Sequence, residues 1–117
     1  MKRVLIVDDA QFIRGTLKLM LEKNGFEVVG EAEDGYEAVN MYMALKPDIV
    51  TMDITMPDMD GIEALKKIKE FDKDANVVMI TALGQEAFVK ESIMLGAKGF
   101  IVKPFKEDII IKALSKF

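Results

Sequence analysis

Five short apolar runs, each followed by a segment with helical spacing, constrain this chain more than any other feature. The runs Val4-Leu5-Ile6-Val7, Ile49-Val50-Thr51-Met52 and Val77-Val78-Met79-Ile80 are almost wholly apolar, as strands covered on both faces should be. Repeated strand–helix units imply a parallel sheet with helices on both sides. The predicted strands lie at 3–7, 26–31, 48–53, 76–81 and 98–103, and the predicted helices at 10–24, 35–46, 61–72, 85–96 and 107–117. Ile13, Leu17, Met20 and Leu21 follow helical spacing, as do Ile110, Ala113, Leu114 and Phe117. Gly25, Pro47 and Gly96 supply stop signals, and Asp34-Gly35 and Asp60-Gly61 mark turns into helices.

Two runs read as sheet edges. Run 26–31 alternates, with Phe26 and Val28 against Glu27, and run 98–103 is short and flanked by Lys98 and Lys103. Edges at the second and fifth strands fit the flavodoxin-like order 2-1-3-4-5, a doubly wound (βα)5 α/β fold. With 117 residues and no linker or repeat, a single domain over 1–117 is expected.

In such a sheet the carboxyl ends of the strands share one edge, where ligands bind. Asp8 and Asp9 follow the first run, Asp53 closes the third, Thr81 the fourth and Lys103 the fifth. A helix cap would explain one of the first two aspartates equally well. Asp53 is less easily explained, because a lone charge at the end of a buried run is costly unless paired or metal-bound. Three carboxylates on one edge repel one another, and a hard cation relieves this. Magnesium (Mg2+) suits such a site, with manganese or calcium able to substitute. The bland reading of Lys103 is an edge-strand lysine that blunts aggregation, and that of Thr81 is packing. At this edge the two could instead bond phosphoryl oxygens.

Composition removes competing chemistries. Cysteine and histidine are absent, so thiolate chemistry and the commonest general base are excluded. The net charge of -4 argues against direct nucleic-acid binding. The N-terminus lacks the apolar length of a signal peptide or membrane span, so a cytoplasmic protein without membrane insertion is expected. No nucleophile elbow, Walker loop or zinc motif occurs. A carboxylate can itself attack phosphorus to give an acyl phosphate, and that transfer needs mainly positioning and charge neutralisation.

Four segments then carry a resemblance: Val4 to Asp9, Met52 to Gly61, Ile80-Thr81-Ala82, and Gly99 to Phe105. In order and spacing they resemble the receiver domains of two-component response regulators, over essentially the whole chain. Met52 to Gly61 is most similar to the stand-alone chemotaxis regulators of that family. The resemblance implies a phosphoacceptor rather than an enzyme, with assisted self-phosphorylation and slow autodephosphorylation. It implies that Asp53 accepts a phosphoryl group from a histidine kinase. Asp9, Asp53 and the backbone carbonyl of Thr55 would hold magnesium, with Asp8 helping. Lys103 would contact the phosphoryl group, Thr81 would bond it and shift, and Phe100 would rotate inward as the switch aromatic. The Lys103-Pro104 bond is commonly cis in such domains. Thr55 and Leu83, two residues past Asp53 and Thr81, would influence how water reaches the acyl phosphate.

The output partner expected from the resemblance is the flagellar motor switch, met by a monomer through the fourth helix, fifth strand and fifth helix. Ile109, Ile110 and Ile111 cannot all face inward on one helix, so an exposed isoleucine there is either incidental or part of a partner patch with Phe100 and Met94. The nine methionines read as core filler, Lys66, Lys67 and Lys69 as a solvated face, and Arg14 and Lys18 as exposed helix charges. Three other readings compete. A magnesium-dependent aspartyl-phosphate phosphatase would carry a second Asp where Thr55 stands. A flavin carrier would need a Ser/Thr/Gly-rich loop where Asp8-Asp9-Ala10-Gln11 stands. The receiver half of a transcription factor is the third.

Overall fold

The computed structural model describes residues 1–117. Five strands alternate with five helices: β1 (Arg3–Val7), α1 (Gln11–Lys23), β2 (Glu27–Ala32), α2 (Gly35–Leu45), β3 (Ile49–Asp53), α3 (Gly61–Phe71), β4 (Val77–Thr81), α4 (Glu86–Met94), β5 (Gly99–Val102) and α5 (Glu107–Ser115). The strands form one sheet in the order β2-β1-β3-β4-β5, and every pairing is parallel. This is the flavodoxin-like doubly wound arrangement.

The period of two along each strand splits the core into two layers. Leu5, Val7, Val50, Met52, Val77 and Met79 pack with buried residues of α2 and α3. Val4, Ile6, Ile49, Val78, Ile80 and Ile101 pack on the other face with Leu17 and Leu21 of α1 and Ile110 and Leu114 of α5. Thr51 interrupts the second layer: it is fully buried, and its hydroxyl has no hydrogen-bond partner.

Local signals explain most boundaries. Asp34 and Asp60 cap α2 and α3, accepting from the N–H groups of Glu37 and Glu63 at 2.9 and 2.8 Å. The helix α1 is different. Its N-cap is Ala10, without a side-chain cap, so neither Asp8 nor Asp9 fills that role. Phe26 lies just outside β2, buried against the α1 and α5 layer. Lys103 lies one residue beyond β5, and the Lys103–Pro104 peptide bond is cis.

Three expectations from composition need correction. Met52, Met56, Met59 and Met79 are core, but Met1, Met43 and Met94 are exposed, so the methionines are not uniformly filler. Lys69 is not simply solvated: its amine donates to the carbonyls of Lys73 and Ala75 at 3.2 and 2.6 Å, tying down the turn after α3. Arg14 is mostly buried rather than exposed, because it braces the site described next.

Candidate functional site

The sheet places Asp8, Asp9, Asp53, Thr81 and Lys103 at its carboxyl edge. Asp53 is the last residue of β3 and pairs in register with Ile80; Thr81 is the last residue of β4. Gly61 secures the Asp53 peptide. A Cβ at Gly61 would collide with the Asp53 carbonyl, so only glycine lets the start of α3 pack there, and the Gly61 N–H donates to the Ile54 carbonyl at 2.8 Å.

Asp8, Asp9 and Asp53 bring carboxylate oxygens within 4.8 Å of one another. Asp8 is fully buried and Asp53 nearly so, whereas Asp9 is exposed. The Lys103 amine reaches Asp8 at 2.9 Å and Asp53 at 3.5 Å. The other Asp8 oxygen accepts from the Ala10 N–H at 2.9 Å. Arg14 donates to the Asp8 carbonyl at 2.7 Å and pairs with Glu31 at 3.2 Å.

One amine against two of three clustered carboxylates leaves negative charge uncompensated. Burial, then the charge of Asp8, push the Asp53 carboxyl up to about 6; Lys103 opposes the rise and Asp9 adds to it. For Lys103, burial alone would lower the amine, but its bond to Asp8 and the charges of Asp53 and Asp8 outweigh that and raise it. An all-oxygen cluster with excess negative charge fits a hard divalent cation. The Thr55 carbonyl, on the loop after β3, accepts no hydrogen bond from the protein.

The other half of the edge is neutral. The Thr81 hydroxyl is buried and donates to Gln85 Oε1 at 2.9 Å, with the Ala82 carbonyl at 3.2 Å as a second acceptor. Gln85 Oε1 also accepts from the Ala82 N–H at 2.7 Å, and Gln85 Nε2 donates to the Thr55 hydroxyl at 2.8 Å. Leu83 is exposed. Phe100, on β5 opposite Met79, is partly buried against the α2 and α3 layer.

The structure therefore gathers Asp8, Asp9 and Asp53 within 4.8 Å of one another, sets Lys103 against Asp8 and Asp53, and puts Thr81 at the neighbouring strand end. Sequence reasoning missed Gln85 and the bracing role of Arg14. Only spacing could have flagged them: Gln85 stands four residues after Thr81, and Arg14 one helical turn after Ala10.

Comparison with known proteins agrees with this geometry. Residues 4–115 match the response regulator receiver domain model. The chain is 56% identical to the chemotaxis protein CheY of Bacillus subtilis, over 97% of this chain and 95% of that protein. It is also 56% identical to the CheY of Thermotoga maritima, over 98% of this chain and 96% of that one. Among solved structures, the CheY in a complex of CheX, CheY, beryllofluoride and magnesium from Borrelia burgdorferi superposes with a TM-score of 0.94. It is 46% identical, covering 98% of this chain and 87% of that one. A buried aspartate at the end of the central strand, its acidic neighbours and the opposing lysine thus stand in a chain that belongs to the response regulator receiver domains, of the CheY type.

Proposed function

We propose that the chain, read as a single domain over 1–117, takes a phosphoryl group onto Asp53 from a kinase phosphohistidine and thereby changes its affinity for an output partner. The observation that supports this best is the setting of Asp53: nearly buried, beside two carboxylates, with the Lys103 amine 3.5 Å away. A carboxylate so placed, at a strand end and open to the sheet edge, is a nucleophile awaiting charge neutralisation.

One Asp53 oxygen attacks phosphorus as the P–N bond breaks. The imidazole leaves with the bonding electrons and takes up a solvent proton, and Asp53 retains an acyl phosphate. Lys103 faces the incoming phosphoryl oxygens and offsets their charge. Asp9, Asp53 and the Thr55 carbonyl would hold magnesium, with Asp8 behind them. That ion would supply the positive charge that an amine alone cannot. No acid–base group is needed, in keeping with a chain that has no histidine. Self-phosphorylation from small donors and slow loss of the phosphoryl group belong to the same chemistry, with Thr55 and Leu83 flanking the path of the water.

The Thr81 hydroxyl then bonds a phosphoryl oxygen, and Phe100 turns further inward. The surface that reads this change is α4, β5 and α5, where Met94, Val102 and Ile109 are exposed while Ile110 is buried. Identity of 56% over nearly the full length of two chemotaxis proteins supports chemotaxis control as the role, with a flagellar motor switch as the output partner, and the CheX complex of a relative supports binding to a second protein. No helix is long and apolar enough to cross a membrane.

Intact-mass measurement after incubation with magnesium and acetyl phosphate tests the reading. One labile phosphoryl adduct is expected, absent with a chelator and absent in Asp53→Asn. No adduct on the wild type, or an adduct that survives the substitution, overturns it.

A further inference from the structure

We infer that Gln85 is a positioning residue that restrains the Thr81 hydroxyl in the unmodified protein and has to release it when Asp53 is modified; this rests on the reading of Asp53 as phosphoacceptor.

The chemistry of the three bonds leaves little freedom. A backbone N–H can only donate, so the atom facing the Ala82 N–H at 2.7 Å is the Gln85 oxygen. The amide orientation is thereby set, and its nitrogen points to the Thr55 hydroxyl at 2.8 Å. The Thr81 hydroxyl has one proton. At 2.9 Å from an oxygen that can only accept, that proton is committed to Gln85, or to the Ala82 carbonyl at 3.2 Å. Phosphoryl oxygens on modified Asp53 are acceptors too. One proton cannot serve both, so bonding the phosphoryl group withdraws it from the shorter contact to Gln85 and from the Ala82 carbonyl alike.

Gln85 links three pieces of the edge: the loop after β3 through Thr55, the end of β4 through Thr81 and Ala82, and α4, whose N-cap it is. Its side chain lines a groove of about 320 Å3 with Leu83, Val89 and Val102, which gives a released amide somewhere to go. Release therefore loosens the entry to α4 at the moment Thr81 moves. The unmodified state is held by this restraint, and the modified state forms at its expense.

The test is the affinity of beryllofluoride, a phosphoryl mimic, in saturating magnesium, measured by calorimetry on the wild type, Gln85→Ala and Gln85→Met. Methionine keeps the side-chain volume and removes the hydrogen bonds, so it guards against a packing artefact. Loss of one net hydrogen bond from the unmodified state predicts binding about three- to tenfold tighter in both variants. In a Thr81→Val background, which has no proton to restrain, the same substitutions at Gln85 are expected to leave the affinity unchanged. A merely structural Gln85 would shift both backgrounds alike. Unchanged or weaker binding when Thr81 is present, or equal tightening in both backgrounds, overturns the inference while leaving Asp53 as acceptor. No beryllofluoride binding to the wild type removes the Asp53 reading and this one together. In the wild type the Gln85 side-chain amide protons should exchange faster once beryllofluoride is bound; unchanged exchange also counts against release.

Discussion

The two halves of the sheet edge are held by different forces. On one side, Asp8, Asp53 and Lys103 are locked by charge: a fully buried carboxylate 2.9 Å from an amine that also reaches a second carboxylate. On the other, Thr81, Gln85 and Thr55 are joined by neutral hydrogen bonds at a loop and a helix start. Breaking a buried ion pair strands a charge, whereas a neutral hydroxyl that exchanges one acceptor for another strands none. The charged half can therefore stay in place while chemistry happens on it, and the neutral half can move in response. On the proposed reading, fixed chemistry and movable readout sit side by side because the forces differ.

The largest way to break that contrast is to remove Lys103. Lys103→Met leaves Asp8 buried without its partner, and the metal-free protein should lose about 2–4 kcal/mol in urea unfolding. Adding Asp8→Asn should restore much of it. A loss as small as for an exposed lysine would mean that charge does not hold this half.

A smaller, opposite effect is expected at Asp53. Burial, with the charge of Asp8, pushes its carboxyl up to about 6, above the usual carboxylate range. The folded state thus binds more protons than the unfolded state between roughly pH 4 and 6, so this group's contribution worsens as pH rises through that window and is fully unfavourable above it. In chelator, Asp53→Asn should stabilise the protein by on the order of 1–2 kcal/mol at pH 7.5, discounted for solvent, and by less at pH 5. Magnesium affinity should fall as pH drops through about 6, since protons compete for the same carboxylate. A stabilisation that grows toward acid would reverse the assignment.

The smallest effect sharpens the neutral side of the comparison. Thr51 carries a buried hydroxyl with no partner, so it shows what a neutral group loses when nothing accepts its proton. Thr51→Val should gain about 1 kcal/mol in melting experiments, with no change at the edge. A loss would mean that the hydroxyl has a partner in solution.

Much of this was legible in the sequence because period and turn chemistry act locally. Almost wholly apolar runs at 4–7, 49–52 and 77–80 marked the doubly covered strands, and Asp34 and Asp60 cap their helices through their own neighbours three residues on. The charged cluster was legible because strand ends in a parallel sheet converge by topology. What was hidden depends on side chains reaching between elements. Arg14 looked like a solvent charge because nothing nearby in sequence shows that the Asp8 carbonyl lies within 2.7 Å. Lys69 read as part of a charged face, yet it curls back onto two carbonyls. Gln85 offered only its spacing of four residues from Thr81; its importance appears when the loops after β3 and β4 lie side by side. Asp8 and Asp9, a plausible cap, do not fill that position; Ala10 stands there without a side-chain cap.

The central claim is that one carboxylate of the three is the nucleophile. Borohydride reduction of freshly phosphorylated protein converts an aspartyl phosphate to homoserine, and peptide sequencing then reports its position. Homoserine at 53 alone is the predicted result; homoserine at 8 or 9, or none at any aspartate, would contradict the account.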